Sequence, residues 1–140
     1  MKYQPGDILY VNRGLYRHYG IYAGFSKVIH LAASNGDFGK NIYVHEIDFD
    51  KFKNGDNCFV LEINENLYQY SKEETLDRAR LKIGQKNYNL IFNNCEHFVY
   101  WCRTGKSKSR QVENTVRTIA ISCAAILLAT AIVKKIKHDA

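Results

Sequence analysis

Asn93-Asn94-Cys95-Glu96-His97-Phe98-Val99 is the stretch on which the reading turns. An asparagine at 93 or 94 offers a side-chain oxygen to an unpaired backbone N–H of a first helical turn, so a helix is expected to begin here with Cys95 in that turn. Cys95, Phe98, Val99 and Cys102 then fall at i, i+3, i+4 and i+7, and the thiol shares the apolar face that packs on the rest of the domain. Gly105 is the expected stop. A free thiol, with a pKa of about 8.5, is only a few per cent thiolate at neutral pH. The positive end of a helix lowers that value, whereas Glu96 raises it unless its carboxylate faces solvent. Alone, such a cysteine is more often an inert buried thiol.

It is not alone. Upstream lie Tyr16-Arg17-His18-Tyr19-Gly20-Ile21-Tyr22 and Val28-Ile29-His30-Leu31, two strand-like segments that each carry a histidine. A cysteine nucleophile needs one group to take its proton and a second to orient the first. A hairpin around Gly24-Phe25-Ser26 is the expected connection, and only one of the two possible registers puts His18 and His30 on one face, because a one-residue slip inverts every side chain. Gly20 is expected to admit another group closely.

The chain has 140 residues, 46% of them hydrophobic and 13% aromatic, which suits one folded domain rather than a disordered segment. Its net charge of +6 favours anionic partners. The basic residues thicken late, at Arg103, Lys106, Lys108, Arg110 and Arg117 and again at Lys134, Lys135 and Lys137, around an apolar run. That placement points to a membrane surface and away from nucleic acid. Cys58, Cys95, Cys102 and Cys123 have neither zinc-site spacing nor a disulfide pattern, which suggests a reducing compartment. The N-terminus has no apolar signal segment.

In chain order, Pro5-Gly6-Asp7 reads as a turn and Ile8-Leu9-Tyr10-Val11 as a buried strand. After the two histidine strands, Ser34 to Asn41 is expected to be a mobile surface loop. Ile42 to Ile47 is a strand, Asp48 to Asn57 a charged turn region, and Cys58 to Ile63 a further strand. The expected fold class is therefore α+β: an antiparallel sheet of about five strands packed against helices. Ser71-Lys72-Glu73-Glu74 matches the capping box, so a helix should follow, burying Leu76, Ala79 and Ile83 and ending at Gly84.

Ile119 to Val133 is an uncharged run bracketed by Arg117 and Lys134. As a helix the stretch between those two residues would span roughly 24 Å, against about 30 Å of bilayer hydrocarbon. Snorkelling of Arg117, Lys134 and Lys135, or a thinner membrane, closes the gap. The competing reading is a helix buried against the domain. The expected division is a catalytic domain over residues 1–112 and a basic-flanked C-terminal hydrophobic anchor helix over 113–140, with the membrane met by 117–135. More basic residues precede the run than follow it, so the folded domain is expected on the cytoplasmic side of an intracellular membrane.

Taken together, Pro5-Gly6-Asp7, Tyr16 to Tyr22, the His30 strand and Asn94-Cys95-Glu96-His97-Phe98 with Arg103 and Gly105 resemble the lecithin:retinol acyltransferase-like family. They are most similar to its HRAS-like suppressor branch, the phospholipase A and acyltransferase enzymes. The resemblance covers almost the whole chain and implies a circularly permuted papain-like fold of NlpC type, in which the histidine strands precede the cysteine helix. It implies Cys95 as nucleophile, His18 as its general base and His30 as the residue that holds the imidazole of His18. Tyr16 matches a tyrosine beside the family's site, with substrate positioning, oxyanion stabilisation and plain packing as its alternatives. His97 points elsewhere on the helix and is expected to be structural. Gly20 and Tyr100-Trp101-Cys102 depart from the vertebrate members' pattern.

The implied chemistry is attack of Cys95 on an ester carbonyl of a glycerophospholipid, with a thioester then resolved by water, phosphatidylethanolamine or a lysolipid. No cofactor and no metal is implied. Two rivals stand beside this reading: an NlpC-like cysteine amidase or peptidase, and a non-catalytic membrane-tethered interaction protein of the same fold. A zinc site built from Cys95, Cys102, His18 and His30 is the weakest alternative, for want of a close ligand pair.

Overall fold

The computed structural model describes residues 2–86 and 94–106. Asn93 and the side chain of Asn94, hence the expected cap, together with the segment from Tyr88 to Phe92 and the apolar run of 119–133, lie outside that description. Among the described residues, no helix is long and apolar enough to cross a membrane.

Five strands form one antiparallel sheet: β1 (Ile8–Asn12), β2 (Arg17–Gly24), β3 (Lys27–Ala33), β4 (Ile42–Asp48) and β5 (Cys58–Val60), in the order β4-β3-β2-β1-β5. Among the described residues three helices accompany the sheet: α1 (Phe49–Lys53), α2 (Lys72–Leu81) and α3 (Asn94–Thr104). A 3-10 turn spans Glu65–Leu67. The α+β class and five-stranded antiparallel sheet expected from the sequence are therefore present.

The β2–β3 hairpin turns at Gly24, Phe25 and Ser26, whose φ values of 85°, 50° and 56° are all left-handed. Only glycine takes that conformation without a steric cost, so Gly24 relieves one of three strained positions. A register shift between Tyr22 and Gly24 accompanies the turn, beyond which Gly20 pairs with His30 and Ile21 with Ile29. Even-numbered residues of both strands consequently share a face.

The two faces build two cores. Tyr19, Ile21, Ala23, Ile29 and Leu31 lie under α2 and α3, where they meet Leu76, Ala79, Cys95, Phe98, Val99 and Cys102. Leu9, Val11, Tyr22 and Val28 lie on the opposite face against Phe52 of α1. The alternation that creates both cores is the two-residue period of the strands, and the sheet is a buried middle layer.

Two sequence expectations change here. The Asp48 to Asn57 region holds α1, whose Phe52 is buried where a charged surface turn was expected. Its first N–H, at Phe49, donates to the Ser26 carbonyl at 2.8 Å, so the strained hairpin turn seats the helix. Ile83 lies beyond α2 and is exposed, because α2 ends at Leu81 and the chain turns to bond β4. There Gly84 N–H donates to Val44 O at 2.7 Å and Val44 N–H to Gln85 O at 3.0 Å, which covers the sheet edge.

The capping box of α2 forms as expected: Glu74 N–H donates to Ser71 Oγ, and Ser71 N–H to Glu74 Oε2. From α2, Arg78 reaches the C-terminal carbonyls of α3, with Nε 3.2 Å from Cys102 O and Nη2 3.0 Å from Trp101 O. Its guanidinium also stacks on Tyr70 and Trp101. A cation at a helix C-terminus is favourable. Here it also ties the helix that carries Cys95 to its neighbour.

Candidate active site

His18 on β2 and His30 on β3 meet on the α1 face of the sheet. His30 stands directly opposite Gly20, so His18 reaches it on the diagonal, and His18 Nε2 lies 2.9 Å from His30 Nδ1. Both side chains are buried, at 1% and 3% exposure. The Phe52 ring packs on both, with centroids 5.4 Å and 5.9 Å away. Gly20 makes this possible, since a Cβ there would fall 3.0 Å from Phe52 Cε2 and 2.5 Å from Val28 Cγ1.

The pair extends to a third histidine. β3 and β4 place His45 directly opposite His30, and the two Nε2 atoms are 3.0 Å apart. His45 Nδ1 lies 3.1 Å from the Tyr43 carbonyl, and its ring stacks on that of Tyr43.

Cys95, in the first turn of α3, belongs to the core on the α2–α3 face. Its thiol donates to the Arg17 carbonyl at 3.9 Å, and the Tyr19 backbone N–H bonds to it in turn. The sulfur thus meets the backbone on both sides of His18.

Asp37 supplies the site's negative charge. Its Oδ2 accepts from Arg13 Nε at 2.9 Å and from the Tyr16 hydroxyl at 2.7 Å, and its Oδ1 lies 3.6 Å from His18 Nε2. Arg13 also donates to the carbonyls of Phe52 and Lys53 and to Asp56, which ties α1 and the 34–41 loop to the β1–β2 connection. A cavity of about 610 Å³ opens beside these groups, bounded by Arg13, Tyr16, His30, Asp37, Phe38 and Phe52. That volume lies within the usual range for small-molecule sites.

Burial dominates the ionisation of the site. It pushes the Cys95 thiol up to about 12, against the Tyr19 N–H and with help from Glu96 and Asp37. The lowering expected from the helix N-terminus is outweighed, and Glu96, itself buried, adds to the rise instead of facing solvent. Burial also lowers His18 to about 4, with Asp37 opposing, and His30 to about 2, with His18 and His45 adding to the effect. Burial works against the Asp37 charge, but the Arg13 hydrogen bond, His18 and the Tyr16 hydroxyl outweigh it and hold that carboxyl below its ordinary range. The resting site therefore holds a neutral Cys95 thiol and neutral His18 and His30 imidazoles beside the Asp37 carboxylate.

The family model for lecithin retinol acyltransferase matches residues 1–108. The chain belongs to the lecithin retinol acyltransferase family. It is 33% identical over 140 residues to the lecithin retinol acyltransferase of Rattus norvegicus, an alignment covering 83% of this chain and 61% of the relative. It is 31% identical over 135 residues to phospholipase A and acyltransferase 1 of Rattus norvegicus, covering 87% and 80%. To phospholipase A and acyltransferase 4 of Homo sapiens it is 30% identical over 143 residues, covering 91% and 86%. The chain thus spans about three fifths of the length of the lecithin retinol acyltransferases it matches.

Within this member of the lecithin retinol acyltransferase family, His18 and His30 come together in one of the two registers that the sequence left open, and Cys95 lies against the strand that bears His18. Tyr16 reaches the site through Asp37, to which it gives its one hydroxyl proton. Among the described residues, no group of three histidine, cysteine or acidic side chains is arranged to hold a metal.

His45 and Asp37, like Arg13 and Phe52, were not singled out in the sequence. His45 looked like any strand residue, because the β3–β4 register that puts it opposite His30 has no local signal. Asp37 lay in a loop expected to be mobile; the 34–41 loop instead folds back through an Ala33–Gly36 bridge. The neighbouring Phe38 packs edge-on against Tyr16, with centroids 4.9 Å apart.

Proposed function

We propose that the chain is a thiol-dependent phospholipid acyl hydrolase and acyltransferase working through an acyl thioester on Cys95. The carrying observation is the His18–His30 pair at 2.9 Å, on a strand whose backbone touches the Cys95 thiol on either side of His18. With Nε2 of His18 engaged by His30, Nδ1 is the nitrogen left for a proton from sulfur. It is also the ring nitrogen closer to the residue's own backbone, where the thiol lies.

In the first half-reaction His18 accepts the thiol proton as sulfur attacks an ester carbonyl of a glycerophospholipid. The tetrahedral oxyanion is stabilised by backbone donors near the start of α3. Collapse breaks the acyl–oxygen bond, His18 returns the proton to the departing alkoxide, and a lysophospholipid leaves. In the second, water, the amine of phosphatidylethanolamine or a lysolipid hydroxyl loses its proton to His18 and takes the acyl group, which restores the thiol. Because thiol and imidazole are both neutral at rest, His18 acts as a true general base and no ion pair is formed beforehand. The Asp37 carboxylate steadies the imidazolium formed in each half.

A phospholipid acyl donor is supported by the relatives' names, since "lecithin" and "phospholipase" both specify one. Tyr16 is read as a positioning residue at the cavity, its proton being committed to Asp37. The order of histidine strands before cysteine helix supports the permuted papain-like description. A catalytic domain over 1–112, with 113–140 anchoring it through 117–135 to the cytoplasmic side of an intracellular membrane, remains part of this proposal. It rests on the basic-flanked apolar run.

The test is lysophospholipid release from dispersed diacyl phosphatidylcholine by the full chain and by Cys95→Ala. Release that disappears in the variant supports the proposal. Equal release, or none from the unaltered chain with properly dispersed substrate, contradicts it.

A further inference from the structure

We propose that His45 is a positioning residue which, from the Tyr43 carbonyl, sets the direction of a chain of N–H···N bonds through His30 and leaves the Nδ1 lone pair of His18 free. The inference rests on reading His18 as the base for Cys95.

The direction follows from one group that can only accept. A neutral imidazole carries one N–H and one acceptor nitrogen. The Tyr43 carbonyl offers no proton, so the 3.1 Å contact requires His45 Nδ1–H to donate. His45 Nε2 is then an acceptor, and the 3.0 Å contact requires His30 Nε2–H to donate to it. His30 Nδ1 becomes the acceptor in its turn, and the 2.9 Å contact is completed by His18 Nε2–H. One proton lies on each bond, and the remaining nitrogen, His18 Nδ1, holds a lone pair. The reverse choice at His45 would set two lone pairs against each other at 3.1 Å.

The surroundings agree with that direction. Asp37 Oδ1 lies 3.6 Å from His18 Nε2, where a carboxylate favours an N–H over a lone pair. Arg13 and Tyr16 stand behind Asp37 and saturate its other oxygen, so it has no proton to give. Burial keeps His18 and His30 neutral, so each ring carries a single N–H. Strand pairing fixes His45 opposite His30, and stacking on Tyr43 holds its ring plane. A histidine in the wrong tautomer cannot act as base, and that error alone can cost about 10⁴ in kcat where the orienting group touches the base directly. His45 acts one bond further away.

The test uses the full chain with ¹⁵N-labelled histidine. Unprotonated Nδ1 on His18, with through-hydrogen-bond ¹⁵N–¹⁵N couplings from His18 to His30 and from His30 to His45, is the expected result in the unaltered protein. His45→Leu should populate both tautomers of His18 and lower kcat about tenfold at unchanged KM. His45→Gln, whose side-chain oxygen can accept from His30, should restore both readouts.

A proton on His18 Nδ1 in the unaltered chain, or the parental tautomer retained in His45→Leu, overturns the proposal. If His45→Leu does not fold, the couplings in the unaltered chain decide the matter. A chain that shows the couplings but releases no lysophospholipid would overturn the functional reading and leave the relay standing.

Discussion

Gly20 stands directly opposite His30 in the β2–β3 pair, and the missing side chain at Gly20 is what admits Phe52 to the two histidine rings. Sheet, helix and site meet at that point: β2 supplies the gap, α1 fills it, and the histidines are buried and neutral because it is filled.

Gly20→Ala tests this packing. Its Cβ would lie 2.5 Å from Val28 Cγ1, 3.0 Å from Phe52 Cε2 and 3.2 Å from the Ile29 carbonyl, so neighbouring side chains must move. We expect a loss of about 1–3 kcal/mol, the usual result of overpacking a filled core. It should be read as a lower denaturant midpoint at unchanged slope, with lysophospholipid release reduced beyond the loss of folded protein.

The neutral histidines make stability sensitive to acid. Above pH 6.5, the ordinary value for histidine, His18 is neutral in both folded and unfolded chains and adds no slope. Between 6.5 and about 4 the unfolded chain binds a proton that the folded chain refuses, so stability falls as pH falls. His30 acts in the same direction. Each histidine contributes a slope of up to about 1.4 kcal/mol per pH unit. Urea unfolding from pH 7 to 4.5 should show this loss, and His18→Gln should flatten it. An unchanged slope in the variant would mean that His18 is not held neutral.

Asp37→Asn removes the carboxylate that joins Arg13, Tyr16 and His18. An amide oxygen in the Oδ2 position can still accept from Arg13 and Tyr16, but the NH2 group then takes the place of Oδ1 and turns donors towards His18 Nε2. The expected cost is about 1–3 kcal/mol of stability from imperfectly satisfied buried groups. Because the imidazolium of His18 loses its counter-charge, kcat should fall by more than KM rises, as steady-state kinetics on a diacyl phospholipid would show.

Ser71→Ala is the contrasting case. It removes the capping box of α2, which packs on the sheet face opposite the histidines, and should cost about 1 kcal/mol. Activity per folded molecule should not change.

How far the sequence disclosed this arrangement depended on the range of each signal. The Ser71–Glu74 box and the Cys95, Phe98, Val99, Cys102 face are local patterns, and both appear as expected. The His18–His30 pairing needed one of two registers, which the sequence left open; the shift beside Gly24 supplies the favourable one. His45 and Asp37 were missed because their roles arise from the β3–β4 register and from a loop folded onto Arg13. No periodicity reports either feature. Burial likewise reversed the expected lowering of the Cys95 pKa, since a helix terminus is visible in sequence and the depth of packing above it is not.

The central claim is that Cys95 carries the acyl group between donor and acceptor. The direct measurement is intact mass of the full chain after brief incubation with a defined diacyl phosphatidylcholine, beside Cys95→Ala. We expect a hydroxylamine-labile adduct of one acyl group, with lysophospholipid released, and neither in the variant. An unmodified chain that nevertheless releases lysophospholipid, or an adduct that persists in Cys95→Ala, would contradict the account.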